Sequence, residues 1–234
     1  MHRQTDSLKK VCIDFGADFV GVADLSLLVG EVGAQREVAN KFPFALSIAI
    51  KLDDGIVNEI ENCPTKDYAD HYRDVNRRLD EVAKKCEEYI VSLGYKALAI
   101  PASKVVDEKN LLGTLSHKAV ARLAGLGWQG KSLLIINPYV GPRFRLVTIL
   151  TDMKLVADKP IKNRCGACHL CSKHCPANAI KNVKTETYYS TRDEAISLSK
   201  CYQKLLEFKS RDGIDATVCG VCVKVCPFGR RKKS

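Results

Sequence analysis

The chain has 234 residues, of which 46% are hydrophobic and 27% are charged, with a formal net charge of +10 at pH 7. A chain of this length and composition can bury a core and divide into one full domain and a small second one, which argues against disorder. The N-terminal stretch MHRQTDSLKK lacks the apolar segment of a signal peptide, and later apolar runs are too short or too charged to span a membrane. We therefore expect a cytoplasmic protein that does not engage a membrane.

The first two thirds of the chain alternate between helical and strand patterns. Apolar residues at alternating steps of three and four predict a long amphipathic helix that Gly94 ends, and short β-rich apolar runs predict buried strands. The predicted helices are residues 6–17, 66–93 and about 114–124, and the predicted strands are 18–23, 44–52, 95–100, 132–137 and 144–152. This alternation predicts an α/β layered domain.

A glycine-rich stretch, AGLGWQGKS, follows the last of these helices and places Gly125, Gly127 and Gly130 in G-x-G-x-x-G spacing. A dinucleotide fingerprint follows a strand and opens a helix, so that the helix N-terminus meets the pyrophosphate. Here the order is reversed, and we do not expect nucleotide binding. The glycines are explained by a helix stop with positive φ and by close approach of the backbone to a neighbour, either in a tight structural turn or at the rim of a cofactor site.

Positive charge is concentrated in the last third. Residues 1–157 hold 21 Lys and Arg against 20 Asp and Glu, whereas residues 158–234 hold 16 against 7. A basic patch of this kind is compatible with nucleic acid, and the tail GRRKKS is its main support. Iron-sulfur clusters would bring negative charge to the same region, and a basic tail is commonly a solvated chain end. Nucleic-acid binding is therefore not expected.

The same third holds an array of cysteines that predicts two iron-sulfur clusters. Residues 165–176 follow C-x2-C-x2-C-x3-C-P, the bacterial ferredoxin pattern, and a second run, C-x2-C-x3-C-P at 219–227, lacks one cysteine that Cys201 can supply. The predicted ligands are Cys165, Cys168, Cys171 and Cys226 for one 4Fe-4S cluster, and Cys175, Cys201, Cys219 and Cys222 for the other. Structural zinc is the alternative, but zinc usually takes paired C-x2-C knuckles separated by a longer loop.

Three cysteines remain outside this array. Cys12 and Cys86 fall at apolar positions of predicted helices, and we expect both in the core as small hydrophobic residues. Cys63, which precedes Pro64, has no assigned role.

Five segments follow one another along the chain: ADFVGVADL, PFALSIAI, SHKAVARLAGLGWQGKSLLI, the ferredoxin run and CGVCVKVCP. In this order they resemble the epoxyqueuosine reductase family, which is related to the reductive dehalogenases. The resemblance implies an α/β (α+β) protein. Residues 1–157 would form a nitroreductase-like layered domain that holds cobalamin in place of flavin, and residues 158–234 a small bacterial-ferredoxin-like domain with two clusters. One cluster would accept electrons from a low-potential donor such as a ferredoxin or flavodoxin, and the other would reduce the cobalt.

The resemblance also implies site residues. The stretch from SHKA to GKS matches the family's loop beside the corrin, and a strand-turn-strand segment follows it. The cofactor-binding residues implied in this way are His117, Lys118, Gly125, Gly127, Trp128, Gly130, Lys131, Asn137, Gly141 and Arg143. The segment DHYRDVNRRL resembles one that supplies a tyrosine near the active site, which nominates Tyr72 with His71 as its neighbour; a core aromatic on the long helix is the alternative for Tyr72.

One departure from the family concerns the proton donor. Epoxyqueuosine reductases carry an acidic residue upstream of the Gly-Trp pair, and counting back here reaches Leu111, which cannot donate a proton. Asp107 is an acidic candidate nearby, but it would need a shifted loop to replace that residue. Epoxyqueuosine itself is therefore not the expected substrate.

Three hypotheses for function remain open. The chain is an enzyme that uses a corrinoid to reduce a small organic substrate, or an electron-transfer protein or reductive activator that docks a partner corrinoid protein or flavoprotein. In the third hypothesis the layered domain retains flavin.

Overall fold

The structure is a computed structural model that describes residues 1–28, 37, 40–103, 107 and 113–230. Leu111 and the last four residues of the basic tail lie outside the described residues. The chain divides into two compact units: Met1–Ile50, Val75–Gly127 and Arg145–Ile161 form the first, and Lys51–Asp74, Trp128–Phe144 and Lys162–Ser234 form the second. The two units interleave along the sequence, and the domain boundary between residues 157 and 158 stays a prediction.

The described helices are α1 (His2–Asp14), α2 (Asp54–Glu59), α3 (Lys66–Ser92), α4 (His117–Leu123), α5 (Leu170–Lys173), α6 (Arg192–Ala195), α7 (Leu198–Lys209) and α8 (Val221–Lys224). The described strands are β1 (Phe19–Asp24), β2 (Phe44–Lys51), β3 (Ala97–Ile100), β4 (Trp128–Gln129), β5 (Ile135–Ile136) and β6 (Phe144–Thr151). Short 3-10 helices occupy Leu25–Leu27 and Pro227–Gly229. None of the described helices is long and apolar enough to cross a bilayer.

The first unit is built around a four-stranded sheet with the order β1-β2-β6-β3. β1 and β2 are antiparallel, from Phe19 opposite Ala49 to Asp24 opposite Phe44, and β3 and β6 are antiparallel as well. The six central residues of β2 are all buried, so this strand is covered on both faces, as its continuous apolar run predicts. All four strands confirm sequence predictions within two residues.

Helices α1 and α4 pack on β1. Gly21 of β1 allows the closest approach, because a Cβ there would lie 2.1 Å from the carbonyl oxygen of Ala124, just after α4. The core cluster beside it joins residues of the sheet and of α4, including Ala23, Val120 and Leu150. The sheet and α4 therefore form one tightly packed layer pair.

Helix α3 confirms the predicted long amphipathic helix, and its first nine residues belong to the second unit. It ends at Ser92, and Gly94 follows with a φ of +87°, as expected for a helix stop. Cys86 on α3 and Cys12 on α1 are fully buried, which confirms both as core residues. Helix α1 begins earlier than predicted and ends at Asp14, before Gly16 with its φ of +113°.

The second unit consists of short elements. β4 and β5 pair antiparallel, with Trp128 opposite Ile136. A small core joins Leu133, in the turn between these strands, to Tyr189, Ala195 and Ile196. The predicted strand at 132–137 is wrong in its extent, since only Ile135–Ile136 is extended. Residues 130–133 form a turn instead, in which the N–H of Leu133 donates to the carbonyl of Gly130 over 2.9 Å and Leu133 has a φ of +60°.

Candidate metal centre

A cavity in the second unit is lined by five cysteine side chains. Four of them are the residues assigned by spacing to one cluster, which we call the first thiol group: Cys165, Cys168, Cys171 and Cys226. Cys222 also reaches this cavity, and the remaining wall is formed by Gly130, Lys131, Ser132, Ile136, Pro227 and Phe228. The fold thus brings the thiol of Cys226 to a run of cysteines that precedes it by more than fifty positions.

The remaining predicted ligands form a second thiol group: Cys175, Cys201, Cys219 and Cys222. The thiol of Cys219 interacts electrostatically with those of Cys201 and Cys175, and Cys222 interacts with all three of these residues. Cys222 also interacts with Cys171, so the two thiol groups adjoin each other. Cys63 lies beside the second group as well, since its thiol interacts with that of Cys219. Which of these sulfurs bind iron stays a prediction.

Local turns bring the first run of cysteines together. Gly166 adopts a φ of +51°, and the N–H of Cys168 donates to the carbonyl of Cys165 over 3.1 Å. The single turn of α5 carries Cys171, and the N–H of Cys175 then closes onto the carbonyl of Ser172 over 3.3 Å. These turns account for the short spacings of the ferredoxin pattern.

Burial weakens the acidity of the thiols at both groups. It raises the pKa of Cys171 and of Cys219 to about 11, and that of Cys226 to about 12, with a further contribution from neighbouring thiols. Burial also raises the pKa of Cys222 well above its ordinary value. A metal that binds here must displace thiol protons, so loading is expected to depend on pH. Within the described ranges, no three His, Cys, Asp or Glu side chains are placed to hold a single metal ion.

The loop that carries Trp128 contacts the cysteine run directly. Trp128 is fully buried, and its indole Nε1 donates to the Sγ of Cys165 over 3.4 Å. Phe228 packs on the indole edge to face, with ring centroids 4.8 Å apart and an interplanar angle of 80°. The guanidinium of Arg164 lies 5.9 Å from the indole centroid. Trp128 therefore supports a predicted cluster ligand, a contact that the resemblance did not specify.

Lys131 holds the same loop at its other end. Its side chain is only 5% exposed, and Nζ donates to the carbonyl of Cys168 over 2.8 Å and to the Oδ1 of Asn182 over 3.1 Å. Gly130 is needed for packing, because a Cβ there would lie 2.7 Å from the side chain of Ile136. The buried ammonium places a positive charge at the wall of the thiol-lined cavity.

The Asn137 turn forms a second support. Its Oδ1 accepts from the N–H groups of Tyr139 and Val140 over 2.9 and 3.3 Å, and its backbone pairs with that of Gly141. Gly141 has a φ of +60°, and a Cβ there would lie 2.5 Å from the backbone nitrogen of Gly229. The turn therefore packs tightly against the segment that follows Cys226.

Arg143 anchors the end of this turn. It is 2% exposed, and it donates to Asp54 Oδ1 and Asn58 Oδ1, each over 2.9 Å, and to the carbonyl of Lys224 over 3.4 Å. Burial alone would raise the pKa of Asp54, but hydrogen bonds from Lys51 and Arg143 outweigh it and lower that pKa. Arg143 thus ties α2 to the end of α8, which carries Cys222.

The other residues implied for the corrin loop lie in the first unit. His117 places Nε2 3.1 Å from the carbonyl of Pro101 and Nδ1 2.8 Å from the hydroxyl of Thr148. A carbonyl only accepts, so Nε2 carries the proton and Nδ1 accepts from Thr148. Burial lowers the pKa of His117, which keeps this ring neutral. Lys118 is half-buried and engaged in contacts of its own.

The glycine-rich stretch begins as a helix stop. Gly125 has a φ of +69°, the N–H of Leu126 donates to the carbonyl of Ala121, and a Cβ at Gly125 would lie 2.7 Å from the carbonyl oxygen of Lys159. This confirms the interpretation of Gly125 as a helix stop with close backbone approach. Gly127 lies between that stop and β4. Cofactor contact by these glycines stays a prediction.

The predicted catalytic residues fall in both units. Nε2 of His71 accepts from the N–H of Asp53 over 2.9 Å, at the start of α2, so this tautomer carries its proton on Nδ1. Tyr72 is half-buried beside it on α3, and both belong to the second unit. Asp107 belongs to the first unit, where it is half-buried in an isolated β-bridge. The catalytic roles of all three stay predictions.

Sequence reasoning missed a clamp formed by Asn163. Its Nδ2 donates to the carbonyl of Gln129 over 2.9 Å, and its Oδ1 accepts from the N–H of Cys165 over 2.8 Å. The Gln129 side chain in turn accepts from the N–H of Tyr189 over 3.0 Å. The local half of this clamp could have been predicted, because an Asn side chain commonly accepts a hydrogen bond from the backbone N–H two residues later, and Asn163 precedes Cys165 by two residues. The long-range half of the clamp has no sequence signal.

Comparison with known proteins identifies the cysteine-rich segment and the fold. Residues 164–229 match the family model of a 4Fe-4S double cluster binding domain. An epoxyqueuosine reductase from Aliivibrio fischeri is 30% identical over 170 residues, covering 69% of this chain and 40% of that protein. Another, from Cyclobacterium marinum, is 25% identical over 268 residues, covering 100% of this chain and 81% of that protein.

Solved structures agree with this fold. A reductive dehalogenase, whose structure suggests a mechanism for B12-dependent dehalogenation, matches with a TM-score of 0.75 and 22% identity, covering 98% of this chain and 32% of that one. The mixed α/β architecture predicted from the sequence is thereby confirmed. The chain spans about 40% of the length of the Aliivibrio relative. The chain is therefore similar to epoxyqueuosine reductases over the matched residues, and its residues 164–229 match a 4Fe-4S double cluster binding domain.

Proposed function

We propose that this chain is an iron-sulfur oxidoreductase that passes electrons through two 4Fe-4S clusters to a corrinoid, for the reduction of a small organic substrate other than epoxyqueuosine. The observation that supports it most is the convergence of eight thiols into two adjoining groups. All eight cysteines lie within residues 164–229, the segment that matches the double cluster domain. The names of the curated relatives, epoxyqueuosine reductases, support an oxidoreductase activity.

The chain's own residues fit two clusters. Each group offers four thiols, and the first group surrounds a cavity whose other walls are largely apolar side chains and backbone. When bound, such clusters supply one-electron transfer at potentials set by their surroundings. Cys222 reaches the cavity of the first group while interacting with the thiols of the second, which supports a short path between the two clusters. A low-potential donor such as a ferredoxin or flavodoxin would supply the electrons.

The corrinoid is supported by the fold and by the loop motif, and the structure adds a constraint. Both ring nitrogens of His117 are engaged, by Pro101 and Thr148, so this loop offers no unoccupied imidazole nitrogen to a metal. If a corrinoid binds, His117 would therefore not serve as a cobalt ligand and would keep its contacts with Pro101 and Thr148. Proton delivery to the substrate would fall to Tyr72, His71 or Asp107.

The test is anaerobic reconstitution with iron and sulfide, followed by absorption and electron paramagnetic resonance spectra before and after addition of cob(II)alamin. The proposal expects about eight iron ions per chain and a base-off cobalt signal. If the cobalamin spectrum does not change and the protein retains no cobalamin on gel filtration, the corrinoid part of the proposal is refuted. A yellow chromophore released on denaturation would instead support a retained flavin.

Leu111 favours a second candidate function, because a leucine stands where the related enzymes carry an acidic proton donor. In this alternative the chain is an electron-transfer protein or reductive activator for a partner corrinoid protein or flavoprotein. Co-purification of such a partner, together with electron transfer to it and no small-molecule turnover by the isolated chain, would favour this alternative over the first.

A further inference from the structure

We infer that Trp128 raises the reduction potential of one of the two clusters by donating an N–H···S hydrogen bond to its ligand Cys165. The inference rests on the proposed ligation of a 4Fe-4S cluster by the first thiol group. Resemblance places Trp128 in a loop beside a corrin, whereas its contacts in the second unit assign it to the iron-sulfur centre.

The donor and acceptor are well matched. An indole Nε1 can only donate, a sulfur ligand accepts, and the two atoms are 3.4 Å apart. Trp128 is fully buried, so water does not compete for this N–H. A buried indole N–H normally has a hydrogen-bond partner, and here that partner is the sulfur of Cys165.

Other contacts also hold the indole Nε1 of Trp128 close to the sulfur of Cys165. Asn163 links the carbonyl of Gln129, the residue after Trp128, to the backbone N–H of Cys165, with both hydrogen bonds under 3.0 Å. The ring of Phe228 packs edge to face on the indole and prevents it from rotating away. The geometry of the N–H···S contact is therefore set by packing and by backbone hydrogen bonds as well as by the contact itself.

The electronic effect follows from charge. A reduced cluster carries one more negative charge than an oxidised one, and part of it resides on the ligand sulfurs. A donor aimed at such a sulfur stabilises the reduced form more, which raises the potential. One electron enters from the reductant, no bond breaks, and Trp128 keeps its proton throughout.

The second thiol group provides an internal reference. There the N–H of Ala179 donates to the sulfur of Cys175 over 3.3 Å, and this backbone donor is unaffected by any change at Trp128. Loss of the indole N–H should therefore shift one cluster and leave the other unchanged.

The experiment uses the fact that the sequence contains a single tryptophan. A tryptophan auxotroph supplied with 3-benzothienylalanine would produce a chain in which sulfur replaces the indole N–H with little change of shape. Each cluster's midpoint potential is then measured by a redox titration monitored by electron paramagnetic resonance. We expect one cluster to become harder to reduce by about tenfold in its equilibrium constant, or ~59 mV. The other cluster should stay within error.

Two further measurements keep the inference testable if that protein folds poorly. 5-Fluorotryptophan keeps the N–H and makes it more acidic, so the same cluster should shift in the opposite direction. In the unsubstituted protein, tryptophan labelled with 15N in the indole should show a hyperfine coupling to the reduced cluster.

Equal shifts of both clusters, no shift, or no coupling would each overturn the role of Trp128. An iron content well below two clusters per chain in the unsubstituted protein would instead count against the proposed function.

Discussion

Cys12 and Cys86 in the first unit are fully buried free cysteines, and their thiols are joined by a hydrogen bond. The thiols of the second unit are half-buried and gather in two groups, one of them around a cavity. The hydrogen bond with Cys86, together with burial, raises the pKa of Cys12 far above its usual range. A thiol held in this way packs as a small hydrophobic residue, whereas four or more thiols gathered beside one another can bind a metal cluster.

The units also differ in what holds them together. The first has a continuous sheet with buried strands and tightly packed helices. The second has mostly short elements, a small apolar core and long-range polar contacts from Asn163, Lys131 and Arg143. We expect apolar packing to supply most of the stability of the first unit, and bound clusters to supply much of the folding free energy of the second.

Removal of iron is expected to have the largest effect and to separate the two units. In iron-free protein, amides at residues 162–230 should exchange with solvent orders of magnitude faster, because the ligands no longer hold the short elements together. Amides of β1, β2 and β6 should keep most of their protection. Hydrogen exchange followed by mass spectrometry measures this protection. Equal protection of the amides of both units in iron-free protein would refute the proposed metal dependence.

Replacing Cys226 by Ser tests the interleaving of the two thiol groups. Cys226 interacts with the first run of cysteines, and Cys222, four positions before it, interacts with thiols of both groups. Because one short segment thus serves both groups, we expect Cys226→Ser to disturb both clusters and to lower the iron content from about eight to fewer than four per chain. Cys63→Ser is the matched control, since Cys63 lies beside the second group without being a predicted ligand. Loss of only half the iron, with normal redox activity of the remainder, would contradict this prediction.

The Arg143 contacts test whether buried polar groups stabilise the second unit. Arg143→Met should cost about 3–5 kcal/mol in the free energy of unfolding, because Asp54 and Asn58 lose a buried partner. Arg77→Met removes an exposed ion pair with Glu81 on α3 and should cost no more than about 0.5 kcal/mol. Urea unfolding of the reconstituted proteins measures both, and similar costs would show that the buried contacts contribute little.

Two glycines with positive φ test close packing in the first unit. Gly94→Ala meets open space, so we expect only the conformational cost of about 1 kcal/mol. Gly125→Ala adds an overlap with the carbonyl of Lys159 and should cost about 1–3 kcal/mol more. Thermal unfolding compares the two, and equal shifts would mean that the backbone near Lys159 yields easily.

The smallest expected effect is a pH dependence at Asp54. Its pKa is lowered in the folded protein, so its contribution of about 1 kcal/mol is present above the unfolded pKa of about 3.9 and is lost as pH falls through the lower folded pKa. The stability difference between the unsubstituted protein and Asp54→Asn should therefore shrink between pH 7 and pH 3. Glu81→Gln is the control, and a constant difference for Asp54→Asn would disprove the assignment.

Much of this architecture could be predicted because its signals are local. The three-four spacing along residues 66–93 is sufficient for α3, and the continuous apolar run at 44–52 is sufficient for β2. The strand predicted at 132–137 is too long because its run of apolar residues is typical of a strand. The first of these residues belong to the turn at 130–133, in which Leu133 has a positive φ. Backbone conformations that favour glycine are difficult to foresee at a leucine.

The sequence by itself determined the number and spacing of the cysteines, and these were sufficient to predict two clusters, because metal ligation demands specific residue types at short intervals. Only the tertiary structure decided that Trp128 meets Cys165, that Asn163 links Gln129 to Cys165, and that Arg143 reaches α2 and the end of α8. These contacts join residues more than thirty positions apart, apart from the local bond between Asn163 and Cys165. Their partners are selected by packing and burial, which depend on the whole fold and leave no periodic trace in the chain.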